Sequence, residues 1–116
     1  MKATLYHNPN CGTSRNVLAA LREAGADLTV IDYVKTGWSR DLLQSLFSRM
    51  GVRPRDLLRV RGTPAEALGL TEPSVSDDAI LAAMTAHPIL VERPIVATET
   101  QVLLCRPSER VQSLLG

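Results

Sequence analysis

The sequence predicts an α/β fold, with a four-stranded mixed sheet flanked by helices and a helical insertion between a βαβ unit and a ββα unit. Three observations predict it. Near the start, two β-rich runs flank one amphipathic helical stretch. From about residue 39 to 87, apolar residues recur at helical spacing between capping signals. After that come two closely spaced β-rich runs and a final helical segment.

The first strand is read at Ala3-Thr4-Leu5-Tyr6, and Val17, Leu18, Leu21 and Ala24 then make one apolar helix face ending near Gly25. Leu28-Thr29-Val30-Ile31-Asp32-Tyr33 alternates and is rich in β-formers, so it reads as the second strand. Two strands around one helix pair in parallel through a right-handed crossover. In the insertion, Ser39 caps a helix carrying Leu42, Leu43, Leu46, Phe47 and Met50, which Gly51 ends. Pro54 suits the first position of a short helix running to about Arg59. Thr63-Pro64-Ala65-Glu66 has the form of a capping box, predicting another short helix that stops at Gly69. Ser76 caps a helix with Ile80, Leu81 and Met84, terminated at His87-Pro88. Pro94–Thr98 and Gln101–Cys105 form an antiparallel hairpin turning near Glu99-Thr100. Pro107-Ser108-Glu109 opens the last helix, with Val111, Leu114 and Leu115 on its apolar side. The thioredoxin-like arrangement satisfies this order of elements.

At 116 residues the chain is expected to be a single domain, residues 1–116, able to bury a core without staples. A net charge of +1 gives no general attraction to nucleic acid or membranes. No apolar run approaches the ~20 residues that span a bilayer. Two cysteines without a signal peptide make no disulfide framework, so a reducing, cytoplasmic setting is expected. Only Lys2 and Lys35 are lysines, and the other basic residues are arginines, which suit paired recognition of oxyanions.

The chemistry is expected in Tyr6-His7-Asn8-Pro9-Asn10-Cys11-Gly12-Thr13-Ser14-Arg15. Cys11 falls at a strand-to-helix junction, where unpaired N–H groups and the helix dipole favour an anion. That anion is a bound oxyanion or the thiolate itself. Lone cysteines are commonly small buried hydrophobes, but Asn8, Asn10, Thr13, Ser14 and Arg15 make an apolar pocket hard to build here.

The string YHNPNCGTSRN, followed by LLR, HPILVERPIV and LCRPSE, resembles the glutaredoxin-coupled arsenate reductases from about Thr4 to the last helix. The resemblance implies a thioredoxin-like fold and one catalytic cysteine reducing arsenate to arsenite. Cys11 matches the nucleophile, with His7 and Ser14 as supporting residues. Arg59, Arg93 and Arg106 match the oxyanion-binding arginines. The resemblance also implies a cis bond before Pro94. Implied partners are arsenate, glutathione as co-substrate, and glutaredoxin; no tightly bound cofactor, no nucleic acid, no membrane and a monomeric state are expected.

The physical logic agrees with the resemblance. A thiolate attacking a dianionic oxyanion meets like charge, which guanidiniums offset while lowering the thiol pKa. Each arginine also has a plain surface reading, Arg59 as a last-turn residue favoured by the helix dipole. Arg61 and Arg15 are further possible anion contacts. His7 is either a general base or a hydrogen-bonding residue at the strand end. His7, Cys11, His87 and Cys105 lack zinc-ligand spacing, so no metal is expected. Cys105 reads as core. Ser14 stands where a Cys-x-x-Cys motif would have its second cysteine, so an external thiol is needed. The alternative is an Spx-like regulator of the same fold that binds RNA polymerase, and a glutathionylated-protein reductase is a weaker third reading.

Overall fold

The computed structural model describes residues 1–115. They form two compact units: Met1–Thr36 together with the chain from Arg93 onward, and Gly37–Glu92. The helical insertion expected over about 39–87 lies within the second of these.

In the first unit, β1 (Lys2–His7) is followed by α1 (Gly12–Glu23) and β2 (Asp27–Asp32). The one-turn helix α2 (Tyr33–Thr36) starts where the strand was expected to continue, so Tyr33 belongs to the helix. After the second unit come β3 (Ile95–Thr98) and β4 (Val102–Leu104). A 3₁₀ turn (Ser108–Val111) then runs into a short terminal helix, Gln112–Leu115. The sheet order is β2-β1-β3-β4. β1 and β2 are parallel, with Lys2 opposite Asp27. β1 and β3 are antiparallel, with Tyr6 opposite Ile95. β3 and β4 are antiparallel, with Ile95 opposite Leu104. The mixed thioredoxin-like sheet expected from the sequence is therefore present.

The core of this unit follows from period: Ala3 and Leu5 share one face of β1, and Val17 and Leu21 share one face of α1. They pack with Val96, Cys105 and Val111, all nearly or completely buried. The Thr98 N–H donates to the Gln101 carbonyl, closing the hairpin turn.

In the second unit, α3 (Arg40–Met50) begins where the Ser39 hydroxyl accepts from the Leu42 N–H at 3.1 Å. It ends at Gly51, whose φ of 70° is a left-handed conformation that suits glycine. Pro54–Leu57 is a 3₁₀ turn. α4 (Asp77–Ala86) is capped by the Ser76 hydroxyl, which accepts from the Ala79 N–H at 3.1 Å. Arg53 pairs with Asp77 at 3.0 Å and Arg40 with Asp78. The buried Trp38 donates from Nε1 to the Pro88 carbonyl at 3.2 Å.

One expected element is corrected. Thr63–Gly69 is not a helix but a set of turns. Thr63 does accept the Ala65 N–H, yet the Gly69 N–H already returns to Glu66 and the Leu70 N–H to Ala65. That pattern, with Gly69 at φ 73°, is a helix-ending motif. Start and stop signals with only five residues between them leave room for one turn.

Candidate active site

Cys11 caps α1 with extended backbone angles, φ −100° and ψ 121°. Its N–H donates to the Asn8 carbonyl at 3.0 Å, closing a turn over residues 8–11. Its own carbonyl accepts the Arg15 N–H at 3.0 Å. The Asn10 N–H donates to Asn8 Oδ1 at 3.0 Å within the same turn. Arg15 reaches back to the Pro9 carbonyl at 2.8 Å, so its guanidinium braces the loop.

Two sequence-distant arginines act on the Cys11 sulfur. Arg106 Nη1 lies 3.6 Å from Cys11 Sγ and donates to the Arg93 carbonyl at 3.0 Å. Burial of the thiol opposes ionisation. The Ser14 N–H and the Arg93 and Arg106 guanidiniums outweigh it, holding the Cys11 pKa below that of an ordinary cysteine. The sulfur makes no regular cap bond, so the Ser14 N–H acts on it at longer reach. Arg93 Nε is buried and has no hydrogen-bond partner of regular geometry among the described residues.

The sheet register explains this convergence. On β1 and β3, residue numbers of facing pairs sum to those of Tyr6 and Ile95; on β3 and β4, to those of Ile95 and Leu104. The Cys105 N–H bond to the Pro94 carbonyl, at 2.9 Å, continues the second ladder past the strand end. One residue further along, the Arg106 side chain meets the Arg93 carbonyl. Both Arg93-Pro94 and Arg106-Pro107 peptide bonds are cis. The first was expected from the resemblance, whereas nothing in the sequence reading anticipated the second.

His7 and Ser14 are together but one step from the sulfur. His7 Nδ1 and Ser14 Oγ are hydrogen-bonded at 2.6 Å, and the Asn8 N–H donates to the same hydroxyl at 3.1 Å. Burial pushes the His7 pKa below its ordinary value; the Arg22 and Arg15 charges act the same way and Asp32 opposes them. A neutral buried imidazole bonded to a serine fits the strand-end reading of His7 better than a direct base for Cys11.

Arg59 lies in the second unit. Its Nη1 donates to Glu92 at 3.0 Å and its Nε to the Arg61 carbonyl at 3.2 Å. The Arg59 N–H bonds to the Leu90 carbonyl, and the Glu92 N–H to the Leu57 carbonyl, around the Leu58–Val91 bridge. It is no free residue in a last helical turn. Cys105 is fully buried, and burial pushes its pKa up to about 11. His87 is exposed at the end of α4. Sequence reasoning undervalued Asn8, which is only 6% exposed; its position three residues before Cys11, able to form a side-chain turn, was the available signal.

A thioredoxin-like sheet with one thiolate-favouring cysteine at a helix N-terminus, flanked by arginines, defines a cysteine-centred member of that fold. The ArsC family matches residues 6–114, and the chain belongs to that family. It is 48% identical over 115 residues to an arsenate reductase of Rhizobium meliloti, covering 99% of this chain and 82% of that one. To arsenate reductase ArsI2 of Synechocystis sp. it is 52% identical over 111 residues, covering 96% and 79%. The solved arsenate reductase from Vibrio cholerae superposes with a TM-score of 0.92 at 38% identity, over 97% of both chains.

Proposed function

We propose that this protein reduces arsenate to arsenite through Cys11, with glutathione and glutaredoxin as electron donors. The observation that carries the reading is the Arg106 guanidinium 3.6 Å from a sulfur whose pKa is lowered. Relatives named arsenate reductase at about half identity support the same substrate. In the proposed reaction the Cys11 thiolate attacks arsenic, and a protonated arsenate oxygen leaves as water. A sulfur–arsenic(V) bond results. A glutathione thiolate then attacks the Cys11 sulfur, and the sulfur–arsenic electron pair passes to arsenic, giving arsenic(III) and a Cys11–glutathione disulfide. Glutaredoxin reduces that disulfide. Each sulfur loses one electron and arsenic gains two.

Arg93 and Arg106 neutralise the incoming oxyanion in this scheme. The buried Arg93 Nε, without a partner among the described residues, is a donor suited to a substrate oxygen. The names of the relatives favour the enzyme over an Spx-like regulator.

The test is a coupled assay following NADPH oxidation with arsenate, glutathione, glutaredoxin and glutathione reductase. Turnover in the native protein and none in folded Cys11→Ser is expected. Arg93→Ala and Arg106→Ala should each weaken arsenate binding about ten- to hundredfold, the scale of one charge-assisted hydrogen bond. Arg93→Lys should rescue only in part, since an ammonium lacks the planar fork. A native protein that turns over no arsenate, with electrons supplied from both donors, rules the reading out.

A further inference from the structure

We propose that the side-chain amide of Asn8 is a further oxyanion donor, giving an N–H to an arsenate oxygen beside Cys11. The inference rests on the reading of the Cys11 loop as an arsenate site.

Asn8 is 6% exposed as a whole, and the little surface it keeps reaches its side-chain Nδ2. Three of its groups are satisfied. Its N–H donates to Ser14 Oγ, its carbonyl accepts the Cys11 N–H, and its Oδ1 accepts the Asn10 N–H. The fourth, Nδ2, donates to nothing among the described residues. Its identity as nitrogen is not arbitrary: the Asn10 backbone N–H needs an acceptor, so the oxygen must occupy that end of the amide. The amide plane is thus fixed by a backbone turn, with its NH₂ end left over.

That NH₂ end keeps access to solvent, so water or a ligand can take its N–H bonds. Here the surplus donor sits in the turn that carries the nucleophile, three residues before it. β1 and β3 are paired as far as Tyr6 and Ile95, two residues short of Asn8 and Arg93. Arg93 itself holds a buried donor, Nε, with no partner among the described residues. The Arg93 guanidinium acts on the Cys11 sulfur and the Asn8 carbonyl accepts the Cys11 N–H, so both residues flank the nucleophile. Asn8 adds a neutral donor to charged ones. It favours an anion without adding a further positive charge to stabilise the thiolate, so its effect falls on the oxyanion rather than on the Cys11 pKa.

The experiment measures the arsenate concentration that halves the rate of Cys11 alkylation, with no reductant present. Native protein, Asn8→Ser and Asn8→Asp are compared, alongside thermal midpoints and the pH profile of alkylation without arsenate. Asn8→Ser keeps a side-chain acceptor for the Asn10 N–H but has no amide. It should show a near-native pH profile and need about ten times more arsenate. Asn8→Asp keeps the acceptor, loses the donor and adds a negative charge, so protection should weaken further. Native-like protection in both folded variants overturns the proposal. So does a loss matched by a displaced pH profile in Asn8→Ser, or unfolding of both, since Asn8 would then serve only the turn. Arsenate protection of Cys11 in native protein without turnover would refute the reductase activity and leave the Asn8 donor to be judged on protection alone. No protection in native protein refutes both.

Discussion

Arg106 donates to the Arg93 carbonyl at 3.0 Å while standing 3.6 Å from the Cys11 sulfur, so one guanidinium ties two strand ends to the nucleophile. Arg106→Ala removes a donor and a positive charge from the thiolate, so the Cys11 pKa should rise toward that of an ordinary cysteine. Iodoacetamide alkylation against pH, read by mass spectrometry at Cys11, checks this. An inflection unchanged from the native protein would contradict the assigned contact.

The two cysteines should react in separate pH ranges. Cys11 is partly accessible with a lowered pKa, whereas Cys105 is buried and pushed up to about 11. Native protein should therefore take one alkyl group, on Cys11, at neutral pH. Cys105→Ala should leave glutaredoxin-dependent turnover intact and cost about 1 kcal/mol or more of stability through lost packing. A Cys11–Cys105 disulfide trapped during turnover would show that the thiol leaves the core.

His7 should make the fold acid-sensitive. Its pKa is lowered in the native state, so between the ordinary histidine value and that lower one the unfolded chain holds a proton the native chain does not. Stability then rises with pH through this window and is lost as pH falls through it. Denaturant unfolding at pH 7.5 and 5.5, in a Cys11→Ser background that removes the neighbouring titration, should show a smaller pH effect in His7→Gln. Equal losses with and without His7 would assign the sensitivity elsewhere.

Ser14→Ala should be costly for a single hydroxyl. It leaves the Asn8 N–H and His7 Nδ1 without their buried partner, a loss of about 1–3 kcal/mol. The midpoint of urea unfolding measures it, and a change below ~0.5 kcal/mol would mean that water replaces the hydroxyl.

In the insertion, Ser39→Ala and Ser76→Ala each remove a cap that accepts a helix N–H at 3.1 Å. Each should cost about 1 kcal/mol. Both variants should keep the native Cys11 alkylation profile. A displaced profile would reveal coupling from these caps to the sulfur.

The order of elements, the helix caps at Ser39 and Ser76, the stop at Gly51 and the placement of Cys11 at a helix start were all legible in the sequence. Each is decided within a few residues by side chains that bond or free their own backbone. Local rules also explain the failure at Thr63–Gly69, where a start signal was read without weighing the stop that followed so closely. What only tertiary structure decided is long-range. The meeting of Cys11 with Arg93 and Arg106 depends on strand register, which no single segment contains. The ion pair of Arg59 with Glu92 depends on the bridge between Leu58 and Val91. The burial of Asn8, polar yet almost closed to water, follows from bonds to Ser14 and Cys11 made by its backbone, and backbone bonds leave no mark in residue type.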